Sequence, residues 1–108
     1  MGKRRSLVLI RLNDPEDHAS GQASLGTAKE FAGALAPFNT AEDGSPPDGV
    51  TVRMYGPGMT VEYATSSREI MQAMVSCYDE ETAFPVLWRM CRQNGWKLQD
   101  IETGQIFG

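Results

Sequence analysis

Three stretches of this chain sort their side chains onto two faces with a period of two, as strands do. Ser6 to Leu12, SLVLIRL, puts Leu7 and Leu9 on one side and Val8, Ile10 and Leu12 on the other. A strand that is apolar on both sides lies in the middle of a sheet, flanked by neighbours. Asn13-Asp14-Pro15 ends it, because proline removes a ladder donor and restricts the residue before it. Val50 to Thr65 predicts a hairpin: Val50, Val52 and Met54 alternate with Thr51, Arg53 and Tyr55. After Gly56-Pro57-Gly58, Met59, Val61 and Tyr63 alternate with Thr60, Glu62 and Ala64. Two registers keep those faces aligned. A tight Pro57-Gly58 turn pairs Arg53 with Glu62, whereas a Tyr55 to Gly58 loop pairs Val52 with Val61. Pro-Gly favours a type II turn, whose twist suits a two-residue hairpin poorly, so the longer loop is expected. Trp96 to Ile101 predicts a further strand, and Ile106 and Phe107 could fold back on it as a short last one.

Three stretches read as helical. Leu25, Ala28, Ala32 and Leu35, with Phe31 and Phe38 beside them, form one stripe. Thr27 and Glu30 have the capping-box spacing, Ser24 is the alternative cap, and Pro37 sets the stop near Ala36. Ser66 and Glu69 repeat that spacing ahead of Ile70, Met71, Ala73, Met74, Val75, Cys77 and Tyr78, which predicts a helix to about Tyr78. The third begins at Thr82 as N-cap, which puts Pro85 in the first turn where it is tolerated, and runs to Asn94. Gly95 is placed for a left-handed C-cap and Trp96 for its accompanying contact.

The predicted order is β-α-β-β-α-α-β. One layer of helices on a mostly antiparallel sheet satisfies both patterns, in a two-layer α+β sandwich of ferredoxin-like order with an extra helix. The whole chain, residues 1–108, is expected to form one domain, with 39–49 (NTAEDGSPPDG) as a flexible loop. At 108 residues the chain can bury a sufficient core without staples.

Charge changes the picture only locally. The net charge is -4, yet Lys3, Arg4, Arg5 and Arg11 open the chain with no acid among them. An acidic protein repels nucleic acid overall, so that class of partner is not expected. The apolar run after Lys3-Arg4-Arg5 is broken by Arg11 and lacks a small-residue cleavage site, so it does not read as a secretory signal. Two cysteines, Cys77 and Cys91, are too few for a disulfide framework and fit a reduced, cytoplasmic protein. No apolar run is long enough for a membrane span.

Candidate chemistry is sparse. Asp14, Glu16, Asp17 and His18 offer metal-ligand types, but their spacing matches no established loop, and a solvated acidic turn accounts for them. Cys77 and Cys91 lie on apolar arcs without a neighbouring base, as core residues do. Gly56-Pro57-Gly58 has no phosphate-binding fingerprint. No nucleophile and base combination stands out, and no cofactor is implied. Met54, Met59, Met71, Met74 and Met90 all fall at apolar positions and read as adaptable core. In the third helix Phe84 and Trp88 sit at the edge of an apolar arc wider than one packing surface needs, with Arg92 one turn on. Aromatics beside arginine are typical of binding hot spots. The expected function is a small interaction or regulatory module without catalysis, contacting a protein partner or a second copy through Phe84, Trp88 and Arg92. The competing expectation is a ligand binder or small enzyme using the open sheet face, with Arg53, Glu62 and the 13–18 acidic loop.

Overall fold

The computed structural model describes residues 5–14, 16–17, 19–41, 51–64 and 68–107. The doubly apolar run forms β1 (Arg5–Leu12), which lies in the middle of the sheet. A two-residue strand, β2 (Gln22–Ala23), returns to its end. Then come α1 (Ala28–Leu35), a single 3-10 turn (Ala36–Phe38), β3 (Thr51–Gly56), β4 (Met59–Ala64), β5 (Gln72–Cys77), α2 (Glu80–Asn94), β6 (Lys97–Asp100) and β7 (Ile106–Phe107). The sheet order is β3-β4-β5-β1-β6-β7, and every pairing is antiparallel. Among the described residues the protein is an α+β domain, an open antiparallel sheet with two α-helices.

The register sorts the side chains by face. Leu7, Leu9, Val52, Met54, Met59, Val61, Tyr63, Ala73, Val75, Cys77 and Leu98 all point to the core and are buried. Onto them α1 brings Phe31 and Leu35, and α2 brings Ala83, Val86, Leu87, Met90 and Cys91. Each such large side chain contributes roughly 1.5–3 kcal/mol on leaving water. The other face carries a row across the strands, Arg53, Glu62, Met74, Val8, Gln99 and Ile106. Met74 is exposed there, while Ile10 and Leu12 on the same face are buried.

Local signals place the helices. Thr27 caps α1 with the full reciprocal box: its hydroxyl accepts from the Glu30 N–H at 3.2 Å, and the Glu30 carboxylate accepts from the Thr27 N–H at 2.9 Å. Asp79, not Thr82, caps α2. Its carboxylate accepts from the Thr82 N–H at 3.4 Å and from the Thr82 hydroxyl at 2.7 Å, so the helix starts three residues early. Glu80 and Glu81 then lie in the first turn, where the dipole favours them. Pro85 falls in the second turn and leaves the Glu81 carbonyl without its helical donor, at an exposed position that water can serve. Gly95 ends α2 at φ +70, as expected of a left-handed cap.

Two further expectations are corrected. The predicted helix ending at Tyr78 is instead β5. Ala73, Val75 and Cys77 are buried, while Gln72 and Met74 are exposed and Ser76 is half-buried, a period of two. Pairing of both β5 edges, to β1 and β4, overrides the helical spacing. Ser66, its proposed cap, lies outside the described residues. The order is therefore β-β-α-β-β-β-α-β-β: the expected extra helix gives way to the third strand of a β3-β4-β5 meander. Second, the hairpin uses the tight turn, with Gly56 opposite Met59 and Arg53 opposite Glu62. Gly58 takes φ +68, and its carbonyl accepts from Tyr78 N–H at 3.0 Å and Asp79 N–H at 3.1 Å. A Cβ on Gly58 would lie 2.6 Å from the Asp79 carbonyl oxygen. Docking of this turn onto the start of α2 outweighs the poor match of twist. The 39–49 loop is described only at Asn39, Thr40 and Ala41. Ala41 bridges Tyr55 at the edge of β3, and the rest lies outside the described residues.

Candidate functional site

The site begins with the geometry of α2. Its inner stripe is fixed on the sheet, which turns Trp88, Arg89 and Arg92 outward and leaves Phe84 half-buried between. The β6 to β7 pairing sets Phe107 opposite Leu98, on the same side of the sheet as α2. Three rings therefore meet. Trp88 lies 5.6 Å from Phe107 and 6.3 Å from Phe84, and Phe84 lies 6.5 Å from Phe107, within the usual range for aromatic pairs. Trp88 keeps 40% of its surface exposed.

Arg5 closes this cluster from the start of β1. Its guanidinium carbon stands 5.2 Å from the Phe84 centroid and 5.7 Å from that of Phe107. Its Nε and Nη2 donate to Asp100 Oδ2 at 3.3 and 3.0 Å, and Nη1 lies 3.7 Å from Glu80 Oε1. The other Asp100 oxygen accepts from the N–H groups of Glu102 at 2.8 Å and Thr103 at 3.2 Å. Thr103 and Glu102 N–H donation and the Arg5 charge hold the Asp100 carboxyl below its ordinary range against the opposing effect of burial. One arginine thus ties β1, α2, β6 and the face of two rings together.

Of the residues named from sequence, Phe84 and Trp88 fall in this cluster. Arg92 is exposed one turn along α2, outside the ring contacts. Arg5, Asp100 and Phe107 complete it. The alternation Arg5, Leu7, Leu9 puts Arg5 on the helix side, but only the β6–β7 pairing brings Phe107 to it.

Arg53 and Glu62 face each other across β3 and β4, with Nε to Oε1 at 3.3 Å. A Tyr55 hydrogen bond and the Glu62 charge raise the Arg53 pKa from its ordinary value. Asp14 and Asp17 spend a carboxylate oxygen each on local turns, accepting from Glu16 N–H and Ala19 N–H, both at 3.0 Å. His18 lies outside the described residues, and among those described no three His, Cys, Asp or Glu side chains are grouped as a metal set. Three inter-strand spacings, about 14 Å, separate the strand of Arg53 from β1, and the acidic loop begins beyond the end of β1. The two halves of the proposed ligand site are therefore apart. A groove beside α1 is lined by Thr27, Arg68, Glu69 and Met71. Cys77 and Cys91 are buried. Burial pushes their thiols up to about 11 and about 12, which leaves no thiolate at neutral pH. Among the described residues, no helix is long and apolar enough to cross a membrane.

Searches against protein-family models, curated proteins and solved structures find no match for this chain.

Proposed function

We propose that this protein is an interaction module without catalysis of its own, docking a protein partner through the outer edge of α2 with Trp88 at the centre. The observation that carries the reading is the 40% exposure of an indole already braced by two rings. Single exposed apolar residues are ordinary on protein surfaces. Trp88 differs because Phe84, Phe107 and Arg5 hold its surroundings in place. A braced aromatic loses little freedom on binding, and tryptophan and arginine dominate measured hot spots.

The partner is a different protein or a second copy of this chain. A reduced, cytoplasmic setting accords with two free thiols. The likeness to ferredoxin-like sandwiches rests on the β1-α1-β4-β5-α2-β6 succession in a sheet ordered β4-β5-β1-β6, with β3 added at the edge, and bears on no activity. The open sheet face, with Arg53, Glu62 and Met74, is the weaker reading, because its charged pair is already mutually satisfied and stands apart from the acidic loop.

A photo-crosslinking residue placed at position 88, and in a second protein at position 55, tests the reading in extract of the source cell. Tyr55 is equally exposed, at 42%, but lies on the other face. Discrete adducts from position 88 that vanish on adding Phe107→Ala are expected, with none from 55. Equal labelling from both positions sinks the proposal.

A further inference from the structure

We infer that the segment received by this surface is an acidic peptide carrying at least one apolar side chain, an inference that rests on the docking role given to Trp88. The reason is that two unpaired arginines stand together on α2 beside Trp88; Arg11 and Arg68 also lack an ion pair among the described residues, but on separate parts of the chain. Arg5 is paired with Asp100 and Glu80, and Arg53 with Glu62. Arg89 and Arg92 are exposed and form no ion pair or side-chain hydrogen bond with any described residue. Their helical neighbours explain why. Three and four residues away from Arg89 stand Pro85, Val86, Arg92 and Gln93, and from Arg92 stand Trp88, Arg89, Gly95 and Trp96. None is a carboxylate.

The helix dipole accounts for a cation in the last turn, which is where Arg92 sits. It does not account for Arg89 a turn earlier, and two like charges three residues apart disfavour the helix. Carboxylates brought from outside relieve that repulsion, and a guanidinium receives a carboxylate through two parallel hydrogen bonds. The acids at the start of α2 interfere little. Glu81 is eight residues from Arg89, about 12 Å along the axis, beyond the screening length of about 8 Å at physiological salt. The apolar side chain of the peptide covers Trp88, one turn from Arg92.

Phosphates would also satisfy these arginines, and an indole can stack on a base. A polyanionic strand is disfavoured by the net charge of -4. The rings of Phe84 and Phe107 also already occupy part of the indole surface.

Selection of a displayed library of random twelve-residue peptides on the full chain tests this, run in parallel on Trp88→Ala and on the double variant Arg89→Glu/Arg92→Glu. Circular dichroism verifies that both variants are folded. A twelve-nucleotide oligothymidine is titrated beside them. Enriched peptides should be net negative with an apolar residue, and each variant should weaken their binding at least about tenfold. Neutral or basic peptides that need Trp88 but ignore the charge reversal overturn the acidic partner and leave the docking surface standing. Peptides indifferent to both variants, or no enrichment, overturn both. Oligothymidine binding abolished by the charge reversal replaces the acidic peptide with a nucleic acid.

Discussion

The molecule holds two aromatic triads of similar composition and opposite fate. Phe31, Tyr63 and Trp96 meet beneath α1, with Phe31 5.3 Å from Tyr63 in an edge-on pair and 5.5 Å from Trp96. All three are buried. Phe84, Trp88 and Phe107 meet at the edge of α2 with comparable spacings, yet Trp88 stays exposed and Arg5 stands over the other two rings. What separates them is cover. The first triad is closed over by a capped helix from one side and the sheet from the other. The second has a two-residue strand on one flank and solvent on the other. Similar sets of rings are thus sealed into the core in one place and left partly open to solvent in the other.

The largest expected effect breaks the closed triad. Phe31→Ala should cost about 3–5 kcal/mol, as truncation of a fully buried ring does. Trp88→Ala should cost less than about 1.5 kcal/mol, because much of that ring never left water. Urea midpoints with an unchanged slope measure both. Equal losses would mean that Trp88 belongs to the core and that the two triads do not differ in kind. The same contrast can be read without truncation. Replacing one tryptophan at a time by phenylalanine leaves a single tryptophan, which can be excited apart from the tyrosines. Trp88 alone should be quenched by acrylamide severalfold more readily than Trp96 alone, which is 4% exposed. Matching quenching constants would erase the comparison.

The closed triad was more legible in the sequence than the open one. The Thr27–Glu30 box and the stripe through Phe31 and Leu35 are local features, and they place α1 without help from the rest of the chain. The width of the apolar arc in α2 likewise marked Phe84 and Trp88. Arg5 and Phe107 were not marked, because they join the site only through β1–β6–β7 pairing, which no local pattern encodes. The segment that forms β5 is ambiguous in sequence for a related reason. Ile70, Met71, Ala73, Met74, Val75, Cys77 and Tyr78 fit a helical arc and a strand equally well once apolar residues stand on both faces. Met71 and Met74 supplied the helical arc, and both are exposed. The hairpin register was undetermined by face alone, since the two alternatives differ by two residues and preserve both faces. The contact of Gly58 with Tyr78 and Asp79, far along the chain, selects between them.

A smaller effect acts on the cover of the closed triad. Thr27→Ala removes the hydroxyl that accepts from the Glu30 N–H, and loss of such a cap costs about 1 kcal/mol. The Glu30 carboxyl is held below its ordinary range by hydrogen bonds from Thr27, backbone first and hydroxyl second, so this variant should also raise it toward that range. A lowered urea midpoint with normal burial of Trp96 is expected. An unchanged midpoint would show that packing of Phe31 and Leu35 holds α1 without its cap.

The smallest effect concerns what holds the open triad together. The Asp100 carboxyl is depressed in the folded chain by Thr103 and Glu102 N–H donation and by Arg5. A depressed acid binds fewer protons folded than unfolded, so its contribution is complete above the ordinary carboxyl value, about 3.9. It is lost as pH falls through that value and then through the lower folded one. Asp100→Asn should therefore lower the urea midpoint at pH 7 by less than the loss of the Thr27 cap, because Arg5 keeps Glu80 and the rings. As the medium becomes acid the variant and the parent should converge. If instead the gap is constant from pH 7 to pH 2.5, the charge on Asp100 contributes nothing, and the Arg5 guanidinium stays over Phe84 and Phe107 by stacking alone.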